Sequence, residues 1–203
     1  MVFCQIDDKL LEVLHRVADG RKFVDLGAGE AMFEHLYTKK YPDHGVVSVE
    51  LYPEHYDHFY IKRNKLVRFS ATMMVFDKTD LPIFIRPYHS DGFVPVALEN
   101  MRKQVSEAIY ISNPRNVERD IPEEYCYVLV PGWVGSEGEQ IYLILLDGEK
   151  YIREDVEWFM VKLEHWPAPI KLKKVLRDGV YFYVNTKGGG FPCTAAEFAE
   201  PVK

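Results

Sequence analysis

From Asp7 onward the apolar positions Leu10, Leu11, Val13, Leu14, Val17 and Ala18 recur at helical spacing, with Asp7 or Asp8 available to cap the first turn and Gly20 to stop the last. Lys22-Phe23-Val24-Asp25-Leu26 then has the form of a short buried strand. It breaks at Gly27-Ala28-Gly29, after which Ala31, Met32, Phe33, Leu36 and Tyr37 return to helical spacing. Pro42-Asp43-His44-Gly45 punctuates the chain before a second β-rich run at residues 46–51, and Pro53 opens an expected helix through about residue 61. Residues 66–69 read as a third strand, 83–85 as a fourth, 94–108 as a helix and 109–112 as a fifth strand. Strands that alternate with helices imply parallel βαβ units with right-handed crossovers.

After Pro122 the rhythm changes. Residues 125–130 and 141–146 are two β-prone runs separated by a Gly-rich turn, which predicts an antiparallel hairpin closing the sheet. Residues 156–162 read as a short helix, and 175–184 as a small hairpin about Asp178-Gly179. The expected fold class is therefore α/β: a doubly wound, mostly parallel sheet closed by an antiparallel hairpin, with a small C-terminal β-rich appendage. The predicted division is a nucleotide-binding domain over residues 1–148 and an extension over 149–203. No internal repeat or low-complexity tract interrupts this plan.

Composition narrows the partners. The chain has 203 residues, 47% of them apolar, enough for a full core. Its net charge of −6 offers no general attraction to phosphate or anionic lipid, so a nucleic-acid partner is open but not favoured. Two short basic clusters, Lys62-Arg63-Asn64-Lys65 with Arg68 and residues 171–174 with Arg177, read as solvated faces. Cys4, Cys126 and Cys193 lack metal-ligand or C-x-x-C spacing and read as free thiols in a reducing cytoplasm; no metal site is expected. No apolar run approaches the ~20 residues that a bilayer span requires, so the expectation is a cytoplasmic protein with no membrane partner.

A glycine-rich turn between strand and helix lets the backbone approach a ligand, and the following helix N-terminus offers unpaired N–H groups. Gly27 and Gly29 fit that job. An acid ending the second strand can accept both hydrogen bonds of a ribose diol, and Glu50 follows Gly29 by 21 residues, close to the ~20-residue interval of a mononucleotide-binding unit.

Phe23-Val24-Asp25-Leu26-Gly27-Ala28-Gly29, with Ala31 where a third glycine is common, resembles the first motif of class I S-adenosylmethionine-dependent methyltransferases. The resemblance implies that Asp25 holds the methionine part of the cofactor, that Gly27, Ala28 and Gly29 form its cradle, and that Glu50 and neighbouring Leu51 hold the adenosine. The acid that many such enzymes carry after strand three is missing from Phe69-Ser70-Ala71-Thr72-Met73, where Thr72 is the candidate substitute.

At the expected acceptor site the chain reads Arg86-Pro87-Tyr88-His89, faintly similar to an Asn-Pro-Pro-Tyr element but with a guanidinium, which only donates, in place of the amide. Arg86 could anchor an acidic substrate and His89 serve as general base, with Tyr88 beside them, or Arg86 and His89 could be loop residues fixed by Asp91 and Glu99. The aromatic set Tyr52, Tyr56, Phe59 and Tyr60 reads as the packed face of a core helix.

The leading expectation is an S-adenosylmethionine-dependent methyltransferase with an unidentified acceptor. Two alternatives stand beside it: a non-catalytic methyltransferase-like binding or regulatory module, and an NAD-binding oxidoreductase-like domain. The last is disfavoured because Met32 occupies the third fingerprint glycine and Asp25 would repel a pyrophosphate.

Overall fold

The computed structural model describes residues 5–87, 92–122 and 125–146, together with the strands within 158–163, 170–177, 180–184 and 196–202. Its N-terminal helix α1 (Asp8–Ala18) is capped by Asp7, whose carboxylate accepts from the Leu10 N–H at 2.7 Å, and it leaves through two left-handed residues, Asp19 and Gly20. Then follow β1 (Lys22–Leu26), α2 (Met32–Lys40), β2 (Val46–Val49), β3 (Asp80–Ile85), α3 (Phe93–Met101), β4 (Glu107–Ser112), α4 (Pro114–Asp120), β5 (Cys126–Val130) and β6 (Gln140–Leu145).

In space these six strands run β5-β6-β4-β3-β1-β2. β2, β1, β3 and β4 are parallel, while β6 lies antiparallel to both β4 and β5. The alternation read in the sequence becomes two cores, one on each face. Phe23, Ile83 and Ile109 pack with Leu10, Leu14, Phe33 and Tyr37 of α1 and α2. Their immediate neighbours Val24, Phe84 and Tyr110 point the other way, onto Leu98 of α3 and Val117 of α4. A strand buried on both faces needs helices on both sides, which is why its residues are continuously apolar.

Several expectations need correction. The helix expected from Pro53 is only a 3-10 turn, Pro53–His55, and the following residues run irregularly, tied down where the Tyr60 N–H donates to the Glu30 carbonyl at 2.9 Å. Tyr52 and Tyr60 are correspondingly exposed and do not form a core face. The third strand shrinks to one parallel bridge between Val67 and Val49. Helix α3 stops at Met101, before the 108 expected, because Glu107 already belongs to β4. Beyond β4, α4 is capped by Asn113, whose side chain accepts from the Asn116 N–H at 3.2 Å, and this stands as the sequence pattern allows. The segment expected as a helix at 156–162 is a strand, β7 (Trp158–Leu163), in keeping with its aromatic and branched residues.

With β8 (Ile170–Arg177), β9 (Val180–Val184) and β10 (Ala196–Val202), β7 extends the sheet beyond β5, through Leu129 opposite Tyr183. The expected boundary near residue 148 lies outside the described residues. Among the described residues no helix is long and apolar enough to cross a membrane.

Candidate functional site

The chain passes from β1 outward to β2, then crosses back to β3 on the opposite side of β1. A crevice opens at the carboxyl ends of strands where their order reverses in this way, and ligands of open α/β sheets bind there. The residues at this point are Gly27-Ala28-Gly29 after β1, Glu50-Leu51 after β2, and Arg86-Pro87 after β3.

The glycine turn is locked to the end of β2: the Gly27 and Ala28 N–H groups both donate to the Val49 carbonyl, at 2.9 and 3.0 Å. Gly27 and Gly29 have φ of 74° and 56°, a left-handed geometry that favours glycine. Ala31, also left-handed at φ 58°, fills the place of the absent third glycine. Glu50, 8% exposed, links the loops that follow β1 and β2, accepting from the Gly29 N–H and the Tyr52 N–H, each at 3.0 Å. Two backbone donors fix its carboxylate and leave a lone pair on each oxygen for a further donor.

Asp25 lies opposite Ser48 in the β1–β2 register and is 3% exposed. The Ser48 hydroxyl donates to Glu34 of α2 at 2.7 Å, so a second buried acid sits in the same layer. Burial first, then the nearby charges of Glu34 and Glu50, push the Asp25 carboxyl up to about 8. No hydrogen-bond donor reaches it among the described residues. Asp25 therefore lies within electrostatic reach of both Glu50 and Glu34. The only trace of Glu34 in the sequence is an acid one helical turn before Tyr37, on the apolar side of α2.

Tyr56 is a second residue that periodicity misplaced. Its ring lies against the glycine turn, such that a Cβ on Gly29 would stand 3.4 Å from the hydroxyl. Burial and the charges of Glu50 and Glu30 raise its phenol above the ordinary range. Leu51, 39% exposed, borders the crevice beside Glu50. Thr72 belongs to a 3-10 turn (Ala71–Met73) in which its hydroxyl bonds Ser70 at 2.8 Å; the adjoining Met74 carbonyl accepts from Asn100 of α3 and from Gln104 just beyond it. No described contact links Thr72 to Asp25 or Glu50.

Arg86 ends β3 in a left-handed conformation, φ 44°, its N–H donating to the Ile111 carbonyl at 2.8 Å. Its guanidinium is held by Glu137 at 2.7 Å and by Glu139 at 3.1 Å, both from the turn before β6. Glu139 is 1% exposed, so this cation has a buried counter-charge of its own. Asp91, one partner that the sequence offered, lies outside the described residues, and Glu99, the other, pairs with Arg102 and Lys103. Tyr88 and His89 lie outside the described residues. Among the described residues no group of three or more His, Cys, Asp or Glu is disposed to hold a metal ion.

No protein-family profile matches the chain, and no curated protein matches it. Among solved structures it is similar to a Thermoplasma acidophilum protein, with 15% identity and a TM-score of 0.42 over 68% of this chain and 85% of that one. It is also similar to a point mutant of the 16S rRNA (adenine(1408)-N(1))-methyltransferase from Catenulisporales acidiphilia, with 14% identity and a TM-score of 0.38 over 71% of this chain and 95% of that one. Neither overlap is close enough to bear on the chemistry, which rests on this chain's own residues.

Proposed function

We propose that the crevice binds S-adenosylmethionine and that the protein is a methyltransferase. The observation that carries this reading is Asp25: a buried carboxyl that accepts from no donor among the described residues, beside a glycine turn and a second acid already oriented by two backbone N–H groups. The charges of Glu34 and Glu50 repel a pyrophosphate, and Asp25 can give up its proton to a bound ammonium, which selects against a dinucleotide. An adenosyl amino acid suits them chemically. Its ammonium would satisfy Asp25, and its ribose hydroxyls would donate to the open lone pairs of Glu50.

Held there by Asp25 and Glu50, S-adenosylmethionine would supply an electrophilic methyl group, with its thioether as the leaving group. The protein's part is positioning: Gly27 to Gly29 admit the ligand closely, Glu50 orients the ribose, and Tyr56 covers the turn.

The test is thermal unfolding with S-adenosylhomocysteine, S-adenosylmethionine and NAD. A ligand at 100 times its Kd adds about 2.7 kcal/mol, or roughly 5–10 °C for a chain of this size. The expected result is stabilisation by the two adenosyl compounds, and loss of the shift in Glu50→Ala. Stabilisation by NAD alone, or by none, refutes the proposal. One observation favours the second reading, a retained pocket without methyl transfer: Arg86 is already neutralised by Glu137 and Glu139. A methyl-transfer assay over a panel of acceptors, run on protein shown to bind S-adenosylhomocysteine, separates the two.

A further inference from the structure

Among the described residues nine large hydrophobic side chains are exposed, and seven of them fall within residues 51–75, the irregular strap that borders the crevice. Exposed apolar surface concentrated in this way marks a binding face. The strap carries four basic residues against two acidic ones, in a chain whose overall charge is −6. Lys62 and Lys65 have no ion-pair partner among the described residues, and Arg68 pairs only with exposed Glu54 at 3.1 Å, a contact that solvent screens and a stronger anion can replace.

Two of the strap's aromatic rings already present a face to a cation or another ring. Tyr52 stacks on His55 with ring centroids 5.2 Å apart and planes 20° apart, and the Arg63 guanidinium lies 5.3 Å over the Phe59 ring. Tyr60 and Phe69 are 39% and 43% exposed. Apolar surface alone would suit any partner. Aromatic faces interleaved with unpaired cations suit an anionic polymer that carries flat rings of its own, because each base can stack while each phosphate is neutralised.

We infer that the strap from Tyr52 to Phe69 binds a single-stranded nucleic acid. The binding face stands on these residues alone; that the strand is also the methyl acceptor rests on the methyltransferase reading, since the strap leaves directly from Glu50 and lays Tyr56 on the Gly29 turn. The acidic crevice and the basic strap thereby divide the labour, one taking a cationic cofactor and the other a polyanion. Sequence reading treated the basic cluster and the aromatic set separately, as solvent face and core; the structure joins them where Arg63 of the first lies over Phe59 of the second.

The test is fluorescence anisotropy of the whole protein with labelled 12- to 16-nucleotide single strands, RNA and DNA, and the matching duplexes, over a salt series. Single strands are expected to bind more tightly than duplexes. Lys62→Ala with Lys65→Ala is expected to make the slope of log K against log salt shallower by about 1.4. Phe69→Ala or Tyr60→Ala is expected to weaken binding by about 5-fold or more. All these variants should keep the S-adenosylhomocysteine thermal shift, which shows that they remain folded.

Binding that is absent at 50 mM salt, unaffected by every strap variant, or equally tight for duplexes overturns the inference. So does sedimentation showing self-association that Phe69→Ala abolishes, which would make a second copy the occupant. Loss of strand binding with a retained S-adenosylhomocysteine shift defeats this inference alone. Strand binding without that shift defeats the cofactor reading alone.

Discussion

Asp25→Asn replaces a carboxyl that burial keeps protonated with an amide of the same shape and no titration. In the folded chain Asp25 is pushed up to about 8 by burial and by the charges of Glu34 and Glu50; in an unfolded chain it titrates near 3.8. Between those two values the folded state holds a proton that the unfolded state has lost. Stability from this group is therefore greatest at the acid end of the window and falls as pH rises, the reverse of a salt-bridged aspartate.

The full slope for one proton is about 1.4 kcal/mol per pH unit, so between pH 5 and pH 7 the wild type should lose up to about 3 kcal/mol relative to Asp25→Asn. Urea unfolding of both proteins at pH 5, 6, 7 and 8 measures this difference without interference from groups they share. The variant should gain steadily on the wild type and the two should run parallel above about pH 8. Parallel curves across the whole range, or a variant that loses ground as pH rises, would refute the idea that Asp25 is neutral in the folded chain.

Three further outcomes follow from named contacts. If the ammonium of S-adenosylhomocysteine sits on Asp25, binding at pH 7 should expel close to one proton from a group held near 8, and the release should vanish above about pH 9; calorimetry in buffers of differing ionisation enthalpy reads it, and buffer-independent heats at pH 7 would contradict the contact. Arg86→Met strips buried Glu139 of its counter-charge and should cost about 3 kcal/mol, whereas Glu137→Gln, at the exposed end of the same pair, should cost less than about 1, both by urea unfolding. Asp7→Ala should cost about 2–3 kcal/mol because one Asp7 oxygen accepts both the Leu10 N–H and the indole N–H of buried Trp133, and Asp8→Ala, outside that network, should change stability far less.

The alternation of strand and helix, the glycine turn after β1, the acids at the first two strand tips and the closing antiparallel pair were legible because each is written in local pattern: period, punctuation and the distance from Gly29 to Glu50. A short strand buried on both faces has little freedom in how it reads. The stretch from Tyr52 to Phe69 was not legible in the same way. Its aromatic spacing matches a helix, yet only the contacts that tie Tyr60 to Glu30 and Val67 to Val49 decide that it becomes an exposed strap.

What tertiary structure alone decided is which charges meet. Glu34 joins Asp25 because the β1–β2 register sets Ser48 beside one and within hydrogen-bond reach of the other, and Glu139 neutralises Arg86 because β6 slots next to β4. A sequence records that a residue is acidic; its protonation and its partner depend on burial and on distances between elements far apart along the chain. The local pattern thus determined the scaffold and the place of the glycine turn and its two acids, and the packing determined the electrostatics around them.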